Sequence, residues 1–142
     1  MGQAAGSMQE PEDLVVPNTE RPLAGKRGLV VDDEFLIVLD VQGLLEEYGV
    51  EVVSHGSAEK ARAALEDQGP FDFAVVDLHI GGDMDSGLSV AARLHERGIP
   101  FVFLSGLATK DPQVTRFNAP LVEKPYRPDI LVETIARAIS AR

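Results

Sequence analysis

Apolar positions fall into two alternating rhythms from Lys26 onward. Gly28–Leu29–Val30–Val31 is a short apolar run that breaks into Asp32–Asp33–Glu34. A run of that length bounded by polar residues reads as a strand buried on both faces. Phe35, Leu36, Val38, Leu39, Val41 and Leu45 then recur at helical spacing, and Gly49 closes that helix. Val50–Val53 reads as a second strand. Ser57 is placed to cap a helix through Lys60, Ala61, Ala64 and Leu65, which ends before Gly69–Pro70. Phe71–Val76 reads as a third strand ending at Asp77, and Gly81–Asp85 as a loop. Ser86 can cap a helix carrying Leu88, Val90, Ala91 and Leu94, stopped by Gly98. Pro100–Leu104 reads as a fourth strand, ending at Ser105–Gly106. Leu107–Asn118 has no clear period, although Asp111–Pro112 can open one short helix. Ala119–Val122 reads as a fifth strand, and Pro128 opens a last helix with Ile130, Leu131, Thr134, Ile135, Ala138 and Ile139 on one face.

Strand and helix alternating in this way predict an α/β fold, a parallel sheet covered by helices on both sides. Right-handed crossovers leave few topologies. The expected one is a flavodoxin-like (βα)5 doubly wound sheet of order 2-1-3-4-5, with a short or irregular fourth helix. The 142 residues suit one domain. Met1 to about Pro22 is rich in Gly, Ala, Gln, Glu and Pro and reads as a flexible tail, with residues 23–142 as the folded unit.

Charge and composition then narrow the chemistry. The net charge of −10 disfavours nucleic-acid and anionic-lipid partners, which need a basic face. Absence of cysteine excludes disulfides, thiolate metal sites and cysteine nucleophiles. No apolar run approaches membrane-spanning length, and no basic-then-apolar export signal opens the chain, so the cytoplasm is the expected location.

In such a fold, ligands bind beyond the carboxyl ends of the strands. Those ends carry Asp32–Asp33, Asp77, Ser105 and Glu123–Lys124. One acid at a strand end is an ordinary cap; four converging ends of fitting chemistry suggest phosphoryl transfer. Clustered carboxylates repel each other, and a divalent cation relieves that. Mg²⁺ prefers oxygen ligands and neutralises a phosphoryl oxygen. A carboxylate can attack phosphorus, while Lys124 and the Ser105 hydroxyl supply a charge and a hydrogen bond to the other oxygens.

Val31–Asp32–Asp33–Glu34, Val75–Val76–Asp77–Leu78, Leu104–Ser105–Gly106 and Lys124–Pro125–Tyr126 resemble, in order and spacing, the receiver domain of two-component response regulators over about Lys26–Ala141. The resemblance implies that Asp77 is the phosphoacceptor. It also implies that Asp32, Asp33, Asp77 and the backbone carbonyl of His79 serve Mg²⁺, Asp33 as a direct ligand and Asp32 through water. Ser105 matches the switch hydroxyl, and Lys124 matches the conserved lysine, with Lys124–Pro125 across a cis bond. The implied function is single-domain phosphorelay signalling. A histidine kinase or histidine phosphotransfer protein donates the phosphoryl group, a protein effector reads the change, and the chain is a monomer or weak dimer. It would not be an enzyme beyond its own phosphorylation and dephosphorylation.

Two departures stand out. The position of the usual switch aromatic is Leu121, with Tyr126 a candidate replacement. The stretch from Ser105 to Lys124 is a few residues shorter than usual, and both traits resemble a stand-alone subgroup with a Phe-Ala-Thr-Gly-Tyr-like motif, which Phe103–Leu104–Ser105–Gly106–Leu107 matches in part. Gly106 could let the backbone approach a phosphoryl group closely. Asp83 and Asp85 read chiefly as a solvated turn. A Mg²⁺-dependent phosphatase of the aspartate-nucleophile type uses similar residues, but its acids usually come as Asp-x-Asp, whereas Asp32 and Asp33 are adjacent. A non-phosphorylated docking module is the remaining alternative, disfavoured by the complete set of site residues.

Overall fold

The computed structural model describes residues 23–141; the expected N-terminal tail lies outside the described residues. The elements in chain order are β1 (Arg27–Val31), α1 (Phe35–Glu47), β2 (Glu51–His55), α2 (Ala58–Asp67), β3 (Phe73–Asp77), a 3₁₀ turn (Ile80–Gly82), α3 (Met84–Glu96), β4 (Phe101–Ser105), α4 (Pro112–Thr115), β5 (Leu121–Glu123) and α5 (Pro128–Ser140). All pairings are parallel, and the strand order is β2-β1-β3-β4-β5. This is the expected topology, including the short fourth helix, which Asp111 caps through the Gln113 amide at 2.9 Å. Among the described residues no helix is long and apolar enough to cross a membrane.

The apolar runs make strands buried on both sides because successive residues feed two different cores. Leu29, Val31, Ala74, Val76, Phe101 and Phe103 face α2 and α3, packing with Ala61, Leu65, Leu88 and Leu94. Val30, Phe73, Val75, Val102 and Leu104 face α1 and α5, packing with Val41, Leu45, Leu131 and Ile135. Phe101, Phe103 and Phe117 meet edge to face, with centroids 5.3 to 6.2 Å apart, and fill the space that the single-turn α4 leaves open. Gly49 and Gly98 end α1 and α3 in left-handed conformation, as expected.

Several boundaries and faces differ from the sequence reading. Asp83, not Ser86, caps α3: its carboxylate accepts the Asp85 amide at 3.0 Å, so the helix begins within the expected loop. The β3 strand starts at Phe73, not Phe71. In α1 the periodic Phe35, Leu36 and Leu39 are exposed, 70%, 76% and 51%, and only Val41 and Leu45 are fully buried. In α5 the buried stripe is Leu131, Val132, Ile135 and Ala136, which turns Ile130 outward. Both helices carry more apolar residues than one buried stripe can hold, so periodicity alone could not choose among them.

Candidate functional site

The strand order places β1 and β3 side by side while their following helices leave toward opposite faces of the sheet. A crevice opens at such a switch point, beyond the carboxyl ends of the two strands. Asp32 follows β1 and Asp77 ends β3, so both point into that crevice. Carboxylate oxygens of Asp32, Asp33 and Asp77 all lie within 4.8 Å of one another; Asp32 and Asp77 are buried and Asp33 is exposed.

The two buried acids are each held by the backbone amide two residues on. The Glu34 amide donates to Asp32 Oδ1 at 2.9 Å, and the His79 amide donates to Asp77 Oδ1 at 3.1 Å. The His79 carbonyl accepts the Gly82 amide at 2.8 Å, and its ring is half-buried. Gly81 and Gly82, at φ 67° and 80°, turn the chain from His79 into α3 through a left-handed conformation that only glycine adopts without strain.

Lys124, just past β5, reaches across the crevice. Its Nζ lies 3.0 Å from Asp32 Oδ2, 3.0 Å from Glu34 Oε1 and 3.5 Å from Asp77 Oδ1. The Lys124–Pro125 bond is cis, as expected. Burial pushes the Asp32 carboxyl above the usual aspartate value; the Glu34 amide and the Lys124 ammonium pull it back in part, and the Asp77 charge adds to the rise. Burial works against the Lys124 ammonium, but its bonds to Asp32 and Glu34 and the charges of Asp32 and Asp77 prevail, so its pKa lies above that of ordinary lysine.

Among the described residues, four carboxylates and one ammonium leave an excess of negative charge in a partly dry crevice. The donors are all oxygen, the set preferred by a hard cation such as Mg²⁺. The residues therefore fit that ion, and their unrelieved repulsion gives it a reason to bind.

Ser105 is fully buried at the end of β4. Its hydroxyl donates to the Leu107 carbonyl at 2.7 Å and accepts the Leu107 amide at 3.2 Å. Leu107 itself is exposed. Gly106 lacks a positive φ, so its backbone does not use the left-handed conformation that glycine alone adopts freely. Leu121 packs against the α2/α3-side core. Tyr126 packs against the opposite, α1/α5-side core, and its hydroxyl donates to Asp40 Oδ2 at 2.6 Å. The two candidate switch positions thus lie on different faces of the sheet. Asp83 acts as a helix cap, and Asp85 sits exposed in the first turn of α3.

Three residues of the neighbourhood escaped the sequence reading of roles. Glu34 pairs with Lys124, and its place beside the acidic pair was the available signal. Asp40 meets Tyr126 with no sequence signal linking them. Gly87 lies inside α3, where a Cβ would sit 2.2 Å from the Leu78 carbonyl oxygen and 2.8 Å from that of Asp77. A glycine within a helix costs about 1 kcal/mol relative to alanine, and that cost was the hint that something needs the space.

The family model described as the response regulator receiver domain matches residues 29–136. No curated protein matches the chain. Among solved structures, the chain is similar to a response regulator receiver domain protein from Methanospirillum hungatei (24% identity, 82% of this chain and 94% of that one, TM-score 0.73). It is also similar to the signal receiver domain of a modulated diguanylate cyclase from Desulfovibrio desulfuricans (27%, 82% and 94%, 0.71). A response regulator receiver protein from Sinorhizobium medicae aligns at 25% identity over 82% of this chain and 95% of that one, with a TM-score of 0.72.

Proposed function

The chain belongs to the response regulator receiver domain family, phosphoryl-accepting modules of two-component signalling, and from that premise we propose that Asp77 is its phosphoacceptor. The observation that carries the reading is the Lys124 ammonium 3.5 Å from Asp77 Oδ1, opposite a cluster of oxygen donors. Receiver domains bind Mg²⁺ at an acidic pocket. Here Asp32, Asp33, Asp77 and the carbonyl of His79 would hold it, and when bound it neutralises the cluster and polarises a phosphoryl oxygen.

A carboxylate oxygen of Asp77 attacks phosphorus while the phosphorus–nitrogen bond of a donor phosphohistidine breaks. The departing imidazole nitrogen keeps the electron pair and takes a proton from water. Lys124 exchanges its contacts with Asp32 and Glu34 for a phosphoryl oxygen, an interaction that strengthens as charge builds there. Ser105 gives up the Leu107 carbonyl and donates to another phosphoryl oxygen, which frees the main chain of an already exposed residue. The signal is thereby a local change of hydrogen bonding that biases the surface around Leu107.

Receiver domains interact with histidine kinases or phosphotransfer proteins and with effectors. A donor of that kind fits the exposed Phe35, Leu36 and Leu39, because α1 begins directly after the acidic pair and sets apolar side chains beside the crevice. A chain acting as a single-domain regulator in the cytoplasm would shuttle the group or present the altered surface to a separate effector.

The test is labelling with acetyl phosphate and Mg²⁺ on the wild type and on Asp77→Asn. One label per wild-type chain and none on the variant is expected. Continuous hydrolysis of an aryl phosphate would point instead to the phosphatase, and no response to Mg²⁺ with beryllofluoride to the docking module.

A further inference from the structure

Lys124 has to leave two carboxylates to serve a phosphoryl group, yet must stay within reach of Asp77. What fixes its backbone therefore matters. Of the three residues that follow, Pro125 and Arg127 are exposed, whereas Tyr126 packs against the core of the protein. The Tyr126 ring packs on the α1/α5-side core, and its hydroxyl donates to Asp40 Oδ2 at 2.6 Å, the short length of a charge-assisted O–H···O⁻ bond. Asp40 lies on α1, six residues beyond Glu34, which precedes the helix and holds Lys124 at 3.0 Å. The segment after β5 is thus tied to α1 twice. One tie is the Lys124–Glu34 pair, which must break when the ammonium turns to the phosphoryl group. The other, Tyr126–Asp40, involves no atom of the reaction.

We propose that Tyr126 and Asp40 are positioning residues for Lys124: their hydrogen bond anchors the segment after β5 on α1, so that the ammonium swings within a fixed radius of Asp77 when its own pair with Glu34 opens. Burial and the adjacent Asp40 charge raise the Tyr126 pKa, so the hydroxyl keeps its proton and remains a donor. The bond also couples α1, with its exposed Phe35, Leu36 and Leu39, to the position of Lys124.

This rests on the assignment of Asp77 above. The experiment compares wild type, Tyr126→Phe, Asp40→Ala, Asp40→Asn and the Tyr126→Phe/Asp40→Ala pair. Each is titrated with Mg²⁺ alone and then, at saturating Mg²⁺, with beryllofluoride as phosphoryl mimic. Tyr126→Phe keeps the ring and its packing. Its beryllofluoride affinity is expected to fall about fivefold, the worth of one net hydrogen bond, with Mg²⁺ affinity unchanged. Asp40→Ala should match it, the pair should lose nothing more, and Asp40→Asn, which keeps an acceptor, should lie between. Wild-type beryllofluoride affinity in Tyr126→Phe, a parallel fall in Mg²⁺ affinity, or additive single effects would overturn the proposal while leaving Asp77 in place. A wild type that binds no beryllofluoride would remove the Asp77 assignment, and the proposal with it.

Discussion

Replacing Gly87 by alanine should damage the site without touching any of its charged groups. The new Cβ would lie 2.2 Å from the Leu78 carbonyl oxygen, 2.6 Å from the Leu78 carbonyl carbon and 2.8 Å from the Asp77 oxygen, where ordinary contact begins near 3.4 Å. Both partners are backbone, so no side chain can swing aside. Helix α3 and the Asp77–Leu78 segment must part by roughly 1 Å, an overpacking that costs about 3 kcal/mol. Alanine's better helix propensity returns about 1 kcal/mol. The net loss of about 2 kcal/mol corresponds to a fall of roughly 6 °C in Tm for a chain of this size. Misplacing a reacting group by about 1 Å can cost about a hundredfold in rate, so phosphorylation by acetyl phosphate should fall further than stability alone explains. Gly43 in α1 supplies the control: a Cβ there meets nothing within 4 Å. The same substitution at that position should raise stability by up to about 1 kcal/mol and leave the rate unchanged. Thermal melts and labelling rates on both variants decide the matter. Wild-type Tm and rate in Gly87→Ala would refute the claim that α3 is pressed against the acceptor segment.

Mg²⁺ at about a hundred times its Kd should stabilise the fold by about 2.7 kcal/mol, with chelator reversing the gain and Asp33→Asn reducing it; identical melts with and without the ion would contradict the cluster's affinity for it. Ser105→Ala should cost about 1 kcal/mol for its lost hydrogen bonds and still accept label. The Leu107 amide resonance should then no longer respond to beryllofluoride, whereas a wild-type shift would show that the hydroxyl is not the trigger. Because the Tyr126 pKa is raised in the folded chain, by burial first and then by Asp40, the unfolded chain releases that proton first. The stabilising effect is complete below the unfolded value of about 10 and is lost as pH rises above it. Denaturant midpoints of wild type and Tyr126→Phe should therefore converge above about pH 10, and a gap that stays constant would argue against the Asp40 contact.

Much of this could be read from the amino acids because two constraints write plainly. Strands buried on both faces must be apolar throughout, so the runs Gly28–Val31, Phe71–Val76 and Pro100–Leu104 announced three strands, although two of them start one or two residues later. Their polar endings then had to gather at one rim of a parallel sheet, which brought Asp32, Asp77 and Lys124 together. What stayed hidden depends on angles and partners that a pattern does not encode. The Ser105 hydroxyl chose Leu107 by a rotation about one bond. Asp40 and Tyr126 are 86 residues apart and meet only because α1 and the segment after β5 share a face of the sheet. Phe35, Leu36 and Leu39 keep helical spacing yet face outward, since the face of α1 that meets the core carries Ile37, Val41, Leu44 and Leu45. The need for glycine at position 87 comes from the backbone of Asp77 and Leu78, which leaves no room for a Cβ and which no helical pattern records.

The most direct measurement is chemical. After phosphorylation in the presence of Mg²⁺, borohydride reduction converts an aspartyl phosphate to homoserine, which peptide mass spectrometry locates in the chain. Homoserine at position 77 and nowhere else is predicted. Homoserine at position 32 or 33, or unmodified aspartate at all three positions, would contradict the account.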